Sequence, residues 1–160
     1  MGISSKPSLL FSSCSLLMAA LFAYSASVQL NDPDWYFWFS LYTFATLVNL
    51  LKSCRRSRTS DILAPVSLLG AIILFVKVVV EAFADDLLEV FSLDMEKKVV
   101  REKLGSGFVI VSMFLHVNAS CKPVKDKREK VGRSIDLGML LLVVISYGLS
   151  LGFFLLVKEI

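Results

Sequence analysis

Lys77 and Glu81 lie four residues apart inside an apolar run, Ile62 to Ala84, that carries no other charge. At helical spacing the ammonium and the carboxylate share one side of the helix. Ser67, Gly70 and Leu74 continue that side in steps of three and four. Charged side chains inside an apolar span are costly, and they are the default candidates for a binding or transport site. The structural alternative is a local ion pair in which Lys77 snorkels and Glu81 sits at headgroup level. His116 is more deeply placed in a later apolar run, with Asn118 nearby; a lone histidine there is usually hydrogen-bonded packing, against Asn118 or another span. No Ser/His/Asp set, phosphate loop or cysteine pair is present. One His and three Cys give no metal-ligand spacing. The sequence therefore predicts no catalytic residue, no metal and no cofactor, and leans away from an enzyme.

The elements that must position these residues are long and apolar. Hydrophobic residues make up 56% of the 160 and charged residues 19%, against about 45–50% and about 25% in average globular chains. Five apolar runs stand out, at residues 8–30, 35–51, 62–84, 104–120 and 135–157. At 1.5 Å per residue the longer ones match a hydrocarbon core of about 30 Å. Between the third and fourth, Leu88, Phe91, Met95 and Val99 recur at helical spacing among charges. This predicts an amphipathic helix over 85–103 lying in the interface, or else a solvated extension of the third span. The fold class expected is all-α: one multi-pass membrane helix bundle over residues 1–160, with five spans plus the interfacial helix. Lys6, the first apolar run and the small residues Ala23, Ser25, Ala26 and Ser27 also resemble a cleavable signal peptide. The run continues through Val28 and Leu30, which favours a retained helix.

Local signals set the ends. Asn31-Asp32-Pro33-Asp34 is a turn, with Asp32 placed to cap the second span and Asp34 near its positive end. Trp35, Tyr36 and Trp38 suit the membrane boundary. Asp61 and Ser134 are placed to cap the third and fifth spans, with Pro65 tolerated in the third span's first turns. Ala19, Ala23 and Ser27, and separately Gly148 and Gly152, repeat every fourth residue, which permits close contact with another helix.

Charge fixes the expected orientation. Eleven Lys and Arg fall in the N-terminal segment and the two basic loops on one side, Lys52 to Arg58 and Lys122 to Arg133. Five fall on the other side. The cation-rich side faces the cytoplasm, so the N-terminus is expected inside and the C-terminus in the lumen or outside the cell. That threading gathers Gln29, Asn31, Asp32, Asp34, Lys77, Glu81, Arg101 and Glu102 in the lumenal leaflet, as a candidate polar pocket for a cation or a headgroup. It leaves the sequon Asn118-Ala119-Ser120 on the cytoplasmic side, unmodified. Cys54 and Cys121 border the basic loops, either as lipidation candidates or as plain thiols. The basic loops lack interleaved aromatics and read as contacts to anionic lipid, not to nucleic acid. The expected partners are the lipid bilayer and either a second copy or another membrane protein.

Val28-Gln29-Leu30-Asn31-Asp32-Pro33-Asp34, followed by Trp38 and Tyr42-Thr43, resembles the transmembrane protein 220 family. Arg101-Glu102 ahead of Gly107 extends the resemblance in the same order, with a shifted glycine at Gly105-Ser106-Gly107. The resemblance implies a small integral membrane protein and no particular reaction. Two readings of function follow. The first is an accessory or interaction protein that packs through small-residue faces. The second is a carrier or lipid-handling protein that uses the lumenal polar pocket, and an enzyme on that pocket is a third.

Overall fold

The structure is a computed structural model and describes residues 8–31, 33–54, 58–85, 98–120 and 128–158. The helices are α1 (Leu9–Val28), α2 (Trp35–Cys54), α3 (Arg58–Asp85), α4 (Lys98–Ser120) and α5 (Arg128–Lys158). A short 3-10 turn, Gln29–Asn31, leads out of α1. Ser8 caps α1, its hydroxyl accepting from the Phe11 N–H at 3.0 Å. The Asp34 carbonyl accepts from the Phe37 N–H at 3.2 Å and opens α2.

Several helices run past the ends that local signals suggest. α3 begins at Arg58, so Asp61 lies in its first turn and is not its cap. Pro65 consequently falls inside the helix, which forgoes one main-chain hydrogen bond to the Asp61 carbonyl. α5 begins at Arg128, which puts Ser134 inside it and denies it a capping role. α4 begins at Lys98, so the last six residues of the expected interfacial helix are the first turns of α4, and Gly105 and Gly107 lie within it. Basic and polar residues extend an α-helix into water as readily as apolar ones cross lipid, because straight-chain side chains lose little freedom there. The rest of the expected interfacial segment lies outside the described residues.

The helices close into a ring in chain order. Each packs on its sequence neighbours, α5 returns to α1, and α2 meets α4 across the middle. Side-chain pairs give the directions. Ser53 on α2 donates to the Ser12 carbonyl on α1 at 3.0 Å, and Leu115 on α4 faces Gly138 on α5. Lys52 reaches Asp61 at one end of the α2–α3 pair, and Asp34 reaches Lys77 at the other. Hence α1, α3 and α5 run one way, and α2 and α4 run back. Tyr147 on α5 donates to the Leu17 carbonyl on α1 at 2.8 Å and closes the ring.

Met18, Phe22, Trp38, Val48, Val78, Val109, Met113 and Met139 fill the interior with essentially no exposure. The outside is equally apolar: Ile62, Leu69, Ile73, Val80, Val144, Leu151 and Leu155 are each more than half exposed. A surface of that kind is matched to lipid and not to water. Leu9–Val28, Asp61–Glu81 and Val131–Gly152 are long and apolar enough to cross a membrane. Outward hydroxyls are hidden by bonding back along their own helix. Ser25, Ser40, Thr46 and Ser150 each donate to the carbonyl four residues earlier, at 2.7–3.0 Å.

The small-residue faces do not carry the packing between these helices. On α1, Ala19 is buried but Ala23 and Ser27 are exposed. The buried stripe is Phe11, Cys14, Ser15, Met18, Ala19, Phe22 and Ala26, in which larger side chains fill the interior. On α5, contact runs through Met139, Leu142, Val143, Ser146 and Tyr147. A Cβ at Gly148 or Gly152 would meet nothing within 4 Å.

Candidate functional site

The seam between α2 and α4 carries polar groups at both ends. At the end where α1 leads into α2, Asp34 Oδ2 accepts from Trp38 Nε1 at 3.1 Å. The same oxygen lies 3.7 Å from Lys77 Nζ, and Lys77 Nζ lies 3.0 Å from Glu81 Oε1. These charged side chains are 24–48% exposed, so each pair contributes only about 0–1 kcal/mol. The Lys77–Glu81 pair is therefore joined by a second acid, contributed by the segment just before α2.

Beneath this mouth the polar groups are buried. Glu102 on α4 is 3% exposed and acts electrostatically on both Tyr42 and Lys77. Tyr42 is 2% exposed and receives a side-chain hydrogen bond from Gln29. Phe22 and Trp38 each stack against its ring, with centroids 6.3 Å away. Gly105 supplies the space for the Tyr42 hydroxyl, since a Cβ at that position would collide with it. Gln29 Oε1 is buried with no hydrogen-bond partner. An amide oxygen, a phenol oxygen and a carboxylate thus lie on adjoining elements under an ion-paired rim. Hard oxygen donors of this kind suit a small cation or the N–H groups of an amine.

Of the expected pocket residues, Gln29, Asp34, Lys77, Glu81 and Glu102 are gathered at this end. Arg101 is exposed on α4. Asn31 belongs to the 3-10 turn through its backbone, and Asp32 lies outside the described residues. Cys54 is an exposed free thiol at the opposite end; Cys121 lies outside the described residues.

A second cluster, not anticipated as a unit, occupies the other half of the seam. Asn49, Ser112 and His116 are fully buried. His116 Nε2 lies 2.8 Å from Asn49 Oδ1. Asn49 Nδ2 donates to the Ala45 carbonyl at 2.9 Å and to Ser112 Oγ at 3.2 Å. With Oδ1 the acceptor, His116 carries its proton on Nε2, and its Nδ1 is buried without a hydrogen-bond partner. The partner of His116 is thus Asn49 on another span, and Phe11 meets the ring edge-on at 5.3 Å. One turn further on, Lys52 Nζ donates to Asp61 Oδ1 at 2.6 Å and to Ser120 Oγ at 2.5 Å. Ser120 Oγ also donates to Asp61 at 2.8 Å. Lys52, expected in a solvated basic loop, is a buried tie across three helices. The signal available in the sequence was register: Asn49 and Lys52 share a face, as do Ser112, His116 and Ser120.

A family model described as transmembrane family 220, helix, matches residues 21–118. The chain belongs to transmembrane family 220. The matched region holds the whole Gln29–Glu102 cluster together with Asn49, Lys52, Asp61, Ser112 and His116, while α5 lies beyond it. The polar seam of α2 and α4 is therefore family 220 territory. No solved structure matches the chain.

Proposed function

We propose that this family 220 protein is a five-span membrane protein with its basic loops in the cytosol, and that its lumenal end binds a small cation or an amine-bearing headgroup. α2 and α4 complete the five spans beside the three more apolar helices. The bias of Lys and Arg toward one side supports the orientation. The observation that carries the binding reading is Glu102, a carboxylate 3% exposed on the inner face of a helix bundle. Burying a carboxylate is expensive, and a purely structural position would ordinarily hold an apolar residue. Gln29 Oε1 and the Tyr42 hydroxyl supply further oxygens, and Asp34, Lys77 and Glu81 form the entrance. In this reading the protein is a carrier or lipid-handling protein.

Purified protein in nanodiscs is expected to gain thermal stability from one of sodium, potassium or choline at constant ionic strength, because a ligand of the folded state stabilises it. Glu102→Gln is expected to remove that gain while Lys77→Leu with Glu81→Leu only weakens it. Equal melting temperatures in all three salts would overturn the binding reading. Orientation has its own check. Cys54 is expected to react with a membrane-impermeant maleimide only after the membrane is opened, and labelling on intact cells would reverse the threading.

A second reading, an accessory protein that packs with a partner in the membrane, has one observation in its favour: the open Gly148 and Gly152 face of α5. Gly148→Leu is expected to dissociate a detergent-stable complex if that reading holds, with the Glu102→Gln variant silent.

A further inference from the structure

Ser15 on α1 and His116 on α4 are fully buried, and among the described residues neither Ser15 Oγ nor His116 Nδ1 has a hydrogen-bond partner. The register brings the two to one level. Phe11 meets the His116 ring edge-on at 5.3 Å, and Ser15 follows Phe11 by one turn on the same buried stripe. Ser53 on α2 bonds to Ser12 at 3.0 Å, which sets Asn49, one turn back along α2, beside Ser15. Side chains of a helix lean toward its N-terminus. Because α1 and α4 run in opposite directions, Ser15 leans toward His116 and His116 leans toward the level of Ser15. We propose that Ser15 Oγ and His116 Nδ1 hold one internal water between them, which ties α1 to the Asn49–Ser112–His116 cluster.

Three observations select water as the occupant. The first is the bonding pattern. With its proton on Nε2, which lies 2.8 Å from Asn49 Oδ1, the neutral imidazole presents Nδ1 as an acceptor only. A water can donate to Nδ1, accept from the Ser15 hydroxyl and offer its second proton to Ser112 Oγ, which still has a lone pair free after accepting from Asn49. Buried waters ordinarily have two to four such partners, and buried polar atoms are nearly always bonded to protein or to ordered water. The second is that Ser15 declines the local alternative. Ser25, Ser40 and Ser150 donate to the carbonyl four residues earlier, whereas the Ser15 hydroxyl does not bond back. The third is size and charge. Phe11, Met18 and Met113 on the adjoining turns are at most 5% exposed, so the site admits only a very small molecule. A cation is opposed by the Lys52 ammonium, which bonds to Ser120 one turn from His116. Ser67 on α3 is also buried and unbonded. It lies at the level of Ala45, because Asp61 pairs with Lys52 and Lys77 with Asp34, and it provides a control. The inference is independent of the lumenal binding site.

The test uses tag-free protein with isotope-labelled histidine in lipid bilayers, where His116 is the chain's single histidine. Solid-state NMR is expected to show Nδ1 unprotonated, shifted upfield of an unbonded imidazole nitrogen, and cross-peaked to a water proton in slow exchange with the bulk. Ser15→Ala is expected to move Nδ1 toward the unbonded shift and weaken the cross peak, and Ser15→Thr, which keeps the hydroxyl, to retain both. Thermal unfolding in nanodiscs gives an independent sign. Deleting a hydroxyl that is merely unsatisfied raises Tm, since a buried unpaired group is costly. Ser15→Ala is expected to lower Tm, and to melt below Ser67→Ala. A wild-type Nδ1 already at the unbonded shift would overturn the proposal. So would a cross peak to the Ser15 hydroxyl proton with none to water, or a Ser15→Ala variant at least as stable as the parent.

Discussion

Gly105→Ala is expected to destabilise the protein by about 1–3 kcal/mol, the usual cost of overpacking a well-filled interior. In an exposed helix the same change gains about 1 kcal/mol from helix propensity, so the sign itself is diagnostic. The added methyl would occupy the position of the Tyr42 hydroxyl, with Tyr42 Cζ 3.1 Å away. Tyr42 cannot swing aside cheaply, because its side chain is buried and both Phe22 and Trp38 stack against its ring. Removing the hydroxyl should therefore relieve the clash. Tyr42→Phe combined with Gly105→Ala is expected to recover most of the loss, although Tyr42→Phe alone forfeits the bond from Gln29. Thermal unfolding in lipid nanodiscs measures all four members of this cycle. An alanine variant at least as stable as the parent would show that α2 and α4 do not approach as closely as described.

Lys52→Met should have the second large effect, again about 1–3 kcal/mol. The Lys52 side chain is 6% exposed, and its ammonium holds Asp61 on α3 and Ser120 on α4. Removing it takes the ammonium away from the Asp61 carboxylate, which keeps the Ser120 hydroxyl as a donor at 2.8 Å. Breaking a fully buried pair costs about 3–5 kcal/mol; the lower figure applies because the Asp61 side chain keeps 35% exposure and can be partly rehydrated. Lys52→Met with Asp61→Leu removes both charges and is expected to restore stability to near the parent value. Measuring the two single variants and the double gives the coupling directly. A double variant no better than the worse single would mean that Lys52 acts through something other than Asp61.

Much of the fold could be read from residue order. Apolar runs bounded by Pro33, the two basic loops and the acidic loop place five helices, because each run must bury its backbone polar groups within itself. The Asp34–Lys77–Glu81 group was also legible, since alternate threading brings those levels together whatever the packing. Helix ends were not. Asp61 and Ser134 have the right chemistry for caps, but their neighbours are equally good helix formers, and nothing local stops the helix. The Asn49–His116 contact was hidden for another reason. Its partners are single residues far apart in sequence, on helices that are not chain neighbours. Which helices meet across a ring is settled by packing among all of them, not by the periodicity within any one. The role of Lys52 was masked by its company: followed by arginines, it reads as one more topology signal.

The seam has a further consequence. Between the Tyr42–Glu102 group and the Asn49–His116 group lie Ala45, Val48 and Val109, each with no exposure, and Ser106, whose hydroxyl bonds back to the Glu102 carbonyl at 2.6 Å. An ion placed in that dry layer would lose its hydration with nothing to replace it, at a cost of many kcal/mol. Vesicles carrying the protein in this conformation should hold a proton gradient as tightly as bare lipid.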